Sequence, residues 1–317
     1  MLRARETKLL TNEKAQRMID APGMEEAAKI LVDCGYEDMG RMNTSQIEES
    51  LKNHLSEILL ELKRLTPDKE VVDLFLIKND YHNLKTLIKG EAAGTKASSL
   101  LSSAGRILPE ALVYAYTEES YRDLTEEMTK ALISAKEVMA RTSNPQKADF
   151  ILDKAYFEEL KIKAAAIDSD FVSEYIALLI DIANLKSLIR SKKMGKGAEF
   201  LREALIDGGS ISIDRLLAAG DGEAISAIYA STSLEETAEK GKEALEGGRM
   251  TEFELAADNA LSTYLKKSRL VTYGAEAVVS YLASVESEIT AVRIILTCKL
   301  AGVPAETIKE RLRDMYA

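Results

Sequence analysis

The sequence of 317 residues has no tryptophan, two histidines, two cysteines, five prolines and aromatics at only 6%. Each shortage excludes something. Cys34 and Cys298 are isolated thiols, so no disulfide framework is expected, and the pair fits a reducing compartment. His54 and His82 with the two thiols are too few and too scattered for an ordinary His/Cys metal cluster. No run approaches 18 apolar residues; the most apolar stretch, 171–185, is broken by Ser173, Glu174, Asp181 and Asn184, so no membrane span or lipid insertion is expected. Met1–Lys8 lacks the apolar core of a secretory signal. Net charge is −10, opposite to what nucleic acid or an anionic lipid surface attracts.

What the chain has is an internal repeat. Asp80-Tyr81-His82-Asn83-Leu84-Lys85-Thr86-Leu87-Ile88-Lys89 returns 101 residues later as Asp181-Ile182-Ala183-Asn184-Leu185-Lys186-Ser187-Leu188-Ile189-Arg190, with six of ten positions identical. A weaker copy stands 107 residues further on, Glu288–Thr297, with Ala291 where the asparagine would be. Such repetition governs the fold and is read first. Asp80, Asn83, Leu84, Leu87 and Ile88 share one face of a helix. A carboxylate and an amide on that apolar face are expected to hydrogen-bond to a neighbouring helix, because leaving them unpaired in a core costs ~1–3 kcal/mol each. A three-carboxylate site from Asp80, Asp181 and Glu288 is set aside, since repeats distribute equivalent residues about an axis instead of gathering them in one pocket.

The rest reads as helices. Ser45-Gln46-Ile47-Glu48 has the form of a capping box, followed by a stripe of Ile47, Leu51, Leu55, Ile58, Leu62 and Leu65. Thr66-Pro67 is expected to open the next helix, which ends near Gly90. Residues 90–105 are a small-residue connection. Its Gly94-Thr95-Lys96, like Gly195-Lys196-Gly197, fails the phosphate-loop pattern and follows no strand. Pro109 and Asn144-Pro145 start further helices, Gly208-Gly209 and Gly220-Asp221-Gly222 mark turns, and Ser212 caps a helix from Ile213. Gly302-Val303-Pro304 introduces a last helix with Ile308, Leu312 and Met315 at core spacing. No stretch alternates with hairpin turn chemistry. The expected fold is all-α, in three repeats: 1–106, 107–208 and 209–317.

An ordered set of these motifs resembles the C subunit of prokaryotic A/V-type rotary ATPases, the equivalent of the vacuolar enzyme's d subunit. It comprises Arg3-Ala4-Arg5-Glu6-Thr7-Lys8, the Asp80 stretch after Thr66-Pro67, Leu152-Asp153-Lys154-Ala155-Tyr156-Phe157, the Asp181 stretch, Phe253-Glu254 with Asp258-Asn259, and Tyr273-Gly274-Ala275-Glu276 through Leu282. The resemblance implies a helical funnel or socket about a pseudo-threefold axis, on the cytoplasmic face of a membrane rotor ring, holding the foot of the central shaft and passing torque for proton or sodium transport. It implies no catalytic residue, no cofactor and no metal. The basic set Lys85, Lys186 and Arg293 is the expected contact with shaft or ring. The competing reading makes these three solvated cations or partners of acids in the next helix. Two rival functions stand beside the resemblance. One is a soluble α-helical scaffold or regulator that binds other partners. The other is an all-α enzyme, which needs convergent polar groups or a paired-acid metal motif that the sequence lacks.

Overall fold

The computed structural model describes residues 2–67, 69–271 and 273–312. It is all-helical, without strands among these residues. Sixteen helices are described: α1 (Leu2–Glu6), α2 (Asn12–Asp20), α3 (Met24–Val32), α4 (Thr44–Leu65), α5 (Lys69–Ala92), α6 (Pro109–Thr117), α7 (Glu126–Thr142), α8 (Pro145–Ile167), α9 (Asp170–Lys193), α10 (Ala198–Ala204), α11 (Ile213–Ala218), α12 (Gly222–Tyr229), α13 (Glu235–Leu245), α14 (Met250–Lys266), α15 (Ala275–Leu300) and α16 (Ala305–Lys309). The chain packs as two compact units. One combines the part up to Leu65 with the part from Arg249 onward; the other is Thr66–Gly248.

In the Thr66–Gly248 unit, α5 packs on α8 and against α6 and α7; α8 also packs on α7 and α9, and α9 on α10 and α13. α5 is buried nearly all round at its start, where Val71, Val72, Leu74, Phe75, Leu76 and Ile77 are inaccessible to water. A helix apolar on every side belongs in the interior. The other unit is built on α15, which α1, α2, α3, α4, α14 and α16 cover. Small residues on α15 (Ala277, Ser280, Ala283 and Ser284, all buried) let its neighbours come close. The Ser268 hydroxyl donates to the Leu265 carbonyl and bonds the Ser280 hydroxyl at 2.5 Å, so these small polar groups are paired.

Helix boundaries follow local chemistry, with four departures from expectation. The capping box of α4 is formed two residues earlier than the sequence pattern indicates: Gln46 N–H donates to Asn43 Oδ1 and Asn43 N–H to Gln46 Oε1, both at 3.0 Å. Asparagine caps as well as serine, and this choice leaves Glu48 to face α15. α5 starts at Lys69, so Thr66 and Pro67 precede the helix instead of opening it, and it ends at Ala92, two residues past Gly90. α16 is short: Ile308 is buried, Leu312 lies beyond the helix, and Met315 falls outside the described residues. Elsewhere Pro109 occupies the first turn of α6, and Asn144 caps α8 by accepting from Gln146 N–H at 3.0 Å with Pro145 in its first turn. Ser212 precedes α11 without a side-chain cap bond.

Core burial separates two leucines cleanly. Leu84 is fully buried, whereas Leu65, the last residue of the expected α4 stripe, is 49% exposed. Leu84→Ala is expected to lower the unfolding free energy by ~2–5 kcal/mol, and Leu65→Ala by no more than about 0.5 kcal/mol, as read from guanidinium titrations.

Candidate functional site

The polar residues of the repeat form joints between a long helix and the chain that follows it. Asp80 and Asn83, both fully buried on α5, point at the connection to α6. Asp80 Oδ1 accepts from Ile107 N–H at 3.2 Å, and Oδ2 from Arg106 Nε at 2.8 Å. Asn83 is doubly bonded to Ser102: its Nδ2 donates to the carbonyl and its Oδ1 accepts from the N–H, both at 2.8 Å. The expected partner is a neighbouring helix; the partner found is loop backbone. A folded-back connection has donors no helix ladder uses, and a buried side chain must supply their acceptors.

The second copy repeats this in the same register. Asp181 Oδ1 accepts from Ile211 N–H at 3.4 Å, and Oδ2 from Ser210 N–H at 3.0 Å and its hydroxyl at 2.5 Å. Asn184 is doubly bonded to Ile206, again at 2.8 Å each way. In both copies the amide's partner lies five residues before the N–H that the acid holds, and the following helix begins two residues after it, at Pro109 and at Ile213.

The third copy is completed from the beginning of the chain. Glu288 Oε2 accepts from Leu10 N–H at 2.6 Å, and α2 begins two residues later at Asn12. Glu288 Oε1 accepts from the Tyr36 hydroxyl at 2.7 Å. The residue five before Leu10 is Arg5, in α1, and the buried Ala291 has no amide with which to bond its backbone. A second tie also recurs: Lys192 Nζ donates to the Ala219 carbonyl at 2.6 Å, and Lys299 Nζ, eleven residues after its own acid in the same way, to the Ala21 carbonyl at 2.5 Å. All three helices end alike. Gly94, Gly195 and Gly302 each stand fourteen residues after the acid with φ of 65°, 66° and 68°, and the next N–H closes on the carbonyl of Gly90, Ser191 or Cys298 at 2.9 Å. This is a Schellman cap, which needs a left-handed residue.

Glycine sets how close the connection comes. A Cβ on Gly105 would overlap the Asp80 carboxylate, and one on Gly209 the Asp181 carboxylate. In the third copy Lys8 holds the corresponding place, and the acid is the longer glutamate. The pattern Gly105-Arg106-Ile107 and Gly209-Ser210-Ile211 is the sequence signal for these anchors; turn chemistry alone singles out only Gly209.

The first joint is also electrostatic. Arg106 Nη1 donates to Glu159 Oε1 at 2.6 Å, and Glu159 Oε2 accepts from the Tyr81 hydroxyl at 3.0 Å and the Thr125 hydroxyl at 3.2 Å. Glu159 is 2% exposed. Burial works against the Arg106 cation, but the Glu159 and Asp80 carboxylates outweigh it and hold the guanidinium above its usual range. Burial also pushes the Tyr81 hydroxyl far up, with Glu159 adding to it. Arg106 therefore stays a cation and Tyr81 a neutral donor near neutrality.

Two of the basic residues singled out in the sequence, Lys85 and Arg293, pair with acids on neighbouring helices. Lys85 Nζ is 2.5 Å from Asp153 on α8. Arg293 Nε is 2.8 Å from Glu48 on α4. Lys186 is half-buried on α9. Leu185, like Leu84, is fully buried and belongs to the core. Among the described residues no group of three or more His, Cys, Asp or Glu is placed to hold a metal ion, and no helix is long and apolar enough to cross a membrane.

Two contrasts test this hierarchy by chemical denaturation. Arg106→Ala strands two buried carboxylates and is expected to cost ~3–5 kcal/mol, whereas Lys85→Ala, losing a partly exposed pair, costs under about 1 kcal/mol. Gly105→Ala and Gly209→Ala, which force a methyl into the acid, are each expected to cost at least ~1–3 kcal/mol.

The comparisons with known proteins agree with this anatomy. Residues 1–311 match the family described as ATP synthase (C/AC39) subunit. The A-type ATP synthase C subunit of Methanocaldococcus jannaschii is 28% identical, aligned over 98% of this chain and 84% of its own length. The V-type sodium ATPase C subunit of Enterococcus hirae is 23% identical over 100% of this chain and 97% of its own. The A-type ATP synthase C subunit of Pyrococcus horikoshii is 22% identical over 99% and 89%. With its helical repeats, their acid-to-backbone joints and a family match across almost its whole length, this chain belongs to the C/AC39 family of A- and V-type ATP synthase subunits.

Proposed function

We propose that this chain is the coupling piece of its rotary ATPase: a helical socket that seats the foot of the central shaft and rests on the membrane rotor ring, passing torque between them. Its repeats, taken as 1–106, 107–208 and 209–317, stand around a pseudo-threefold axis. It lies on the cytoplasmic face, peripheral to the membrane, and contacts the water-facing loops of the ring instead of lipid. The work is mechanical; ATP chemistry and ion selection belong to other subunits, so the chain carries no catalytic residue. Protons or sodium ions are the cargo. The Enterococcus relative is named for a sodium ATPase, the archaeal ones for ATP synthases.

The observation that carries this reading is the build of the joints. A part that transmits torque must resist shear where its units meet. Here a buried acid ties each of the first two long helices across to the start of the next repeat, and a doubly bonded amide holds the connection that leads there. Buried polar networks with every member satisfied hold a single geometry. An interface role for Lys85, Lys186 and Arg293 remains part of the proposal in a reduced form. Lys85 and Arg293 would have to share their charge with Asp153 and Glu48, so the triple alanine variant weakens assembly only if a partner carboxylate joins those pairs.

Immobilised protein is exposed first to purified central-shaft subunits and then to detergent-solubilised rings. Retention of both is expected, each through roughly 1,000 Å² or more of contact. Retention of neither by the well-folded protein overturns the reading and returns the generic helical scaffold.

A further inference from the structure

The joint at Glu288 lacks the amide that backs its two counterparts, and its segment is tied elsewhere by the partly exposed Arg5–Glu61 pair and by apolar burial. Asp80 and Asp181 are each backed by an asparagine with two backbone hydrogen bonds; at Glu288 the corresponding residue is Ala291. Asp80 also holds a guanidinium and Asp181 a hydroxyl beside its N–H donors, whereas Glu288 has one backbone N–H and the Tyr36 hydroxyl. The segment it holds is remote in sequence, with Leu10 and Glu288 separated by 278 positions. And Glu288 lines a solvent-open cavity of about 520 Å³. Ala4, Arg5, Lys8 and Leu9 of that same segment form one wall, and α4 and α15 supply others. Leu9 and Leu10 are its buried apolar anchors.

We propose that residues 2–10 are a releasable strap over the α4–α15 cavity, latched by Glu288, and that the latch loosens with rising pH. The inference does not depend on the socket reading.

The charge behaviour of the cavity supports it. Burial pushes the Glu288 carboxyl up to about 7, against the opposing pulls of Leu10 N–H, Tyr36 and Lys14. The groups facing it are Tyr36 and Cys34 after α3, Lys14 on α2, Arg5 and Lys8 on the strap, His54, Glu57 and Glu61 on α4, and Tyr281 on α15. Burial raises Tyr36, Cys34 and Tyr281 and lowers His54, which keeps all four neutral around neutrality. Glu288 is the group that burial pushes into that range. When the strap is released the carboxyl regains its ordinary value, 4.5, so the latched form holds the extra proton. Latching is strongest below that ordinary value and is lost as pH rises through about 7. Between roughly pH 6 and pH 8 the opening equilibrium is expected to rise about tenfold.

Hydrogen exchange of the full chain, followed by mass spectrometry at about pH 6, 7 and 8 and corrected for intrinsic rates, reads this directly. Peptides covering residues 2–11 should lose protection about tenfold over that range. Glu288→Gln should remove the pH dependence. Tyr36→Phe, which deletes a donor that favours the charged carboxylate, should move the transition to higher pH. A flat response in the wild-type strap, or a slope that survives Glu288→Gln, overturns the proposal.

Discussion

A carboxylate taken out of water must find donors inside the protein, and in this chain that requirement is met by backbone. Asp80, Asp181 and Glu288 sit at 4% exposure or less, each accepting the N–H that lies two residues before a new helix. One interaction thus does two things. It offsets the desolvation cost of the acid, and it fixes where the next helix starts. The glycines at 105 and 209, the asparagines at 83 and 184 and the Schellman glycines all serve that geometry. So does the exchange of aspartate for glutamate where Lys8 stands in place of glycine.

Much of this is legible in the sequence. The repeat, the helical class and the apolar face of Asp80, Asn83 and Leu84 follow from spacing alone. The ordered motifs are enough to point to the family. What escapes is where the polar residues point. Helical periodicity places Asp80 on a buried face but says nothing about which segment folds back over it; that depends on Gly105 and Ile107, in a connection without periodicity. Arg106 and Glu159 are 53 positions apart, and no local pattern joins them. The capping box of α4 shifts because Asn43 and Ser45 are comparable caps, and only packing on α15 decides between Gln46 and Glu48. The basic line of Lys85, Lys186 and Arg293 reads as an outward-facing set because spacing cannot reveal Asp153 or Glu48 across the helix interface.

The same contacts bear on mechanics. Sheared helices slide when only apolar side chains separate them, because dispersion is nondirectional. A buried acid held by oriented N–H groups has no equivalent position a fraction of a turn away, so it resists sliding. Placing such a contact where each long helix meets the chain that leads to the next helix puts directional interactions at those connections. The surface ion pairs, with their low energies, add little to this. They orient helices that the core already holds.

The joint at Asp181 depends on a carboxylate, and not merely on a side chain of that shape. Asp181→Asn tests this with the least disturbance. Asparagine matches the aspartate in size but turns an NH2 toward Ser210 or Ile211, where the carboxylate meets donors. Urea unfolding of this variant should show a loss of ~2–4 kcal/mol, the range for leaving buried donors facing a donor after breaking charge-assisted bonds. A variant within about 0.5 kcal/mol of the parent, the range of an ordinary surface change, would mean that packing alone holds the repeats together.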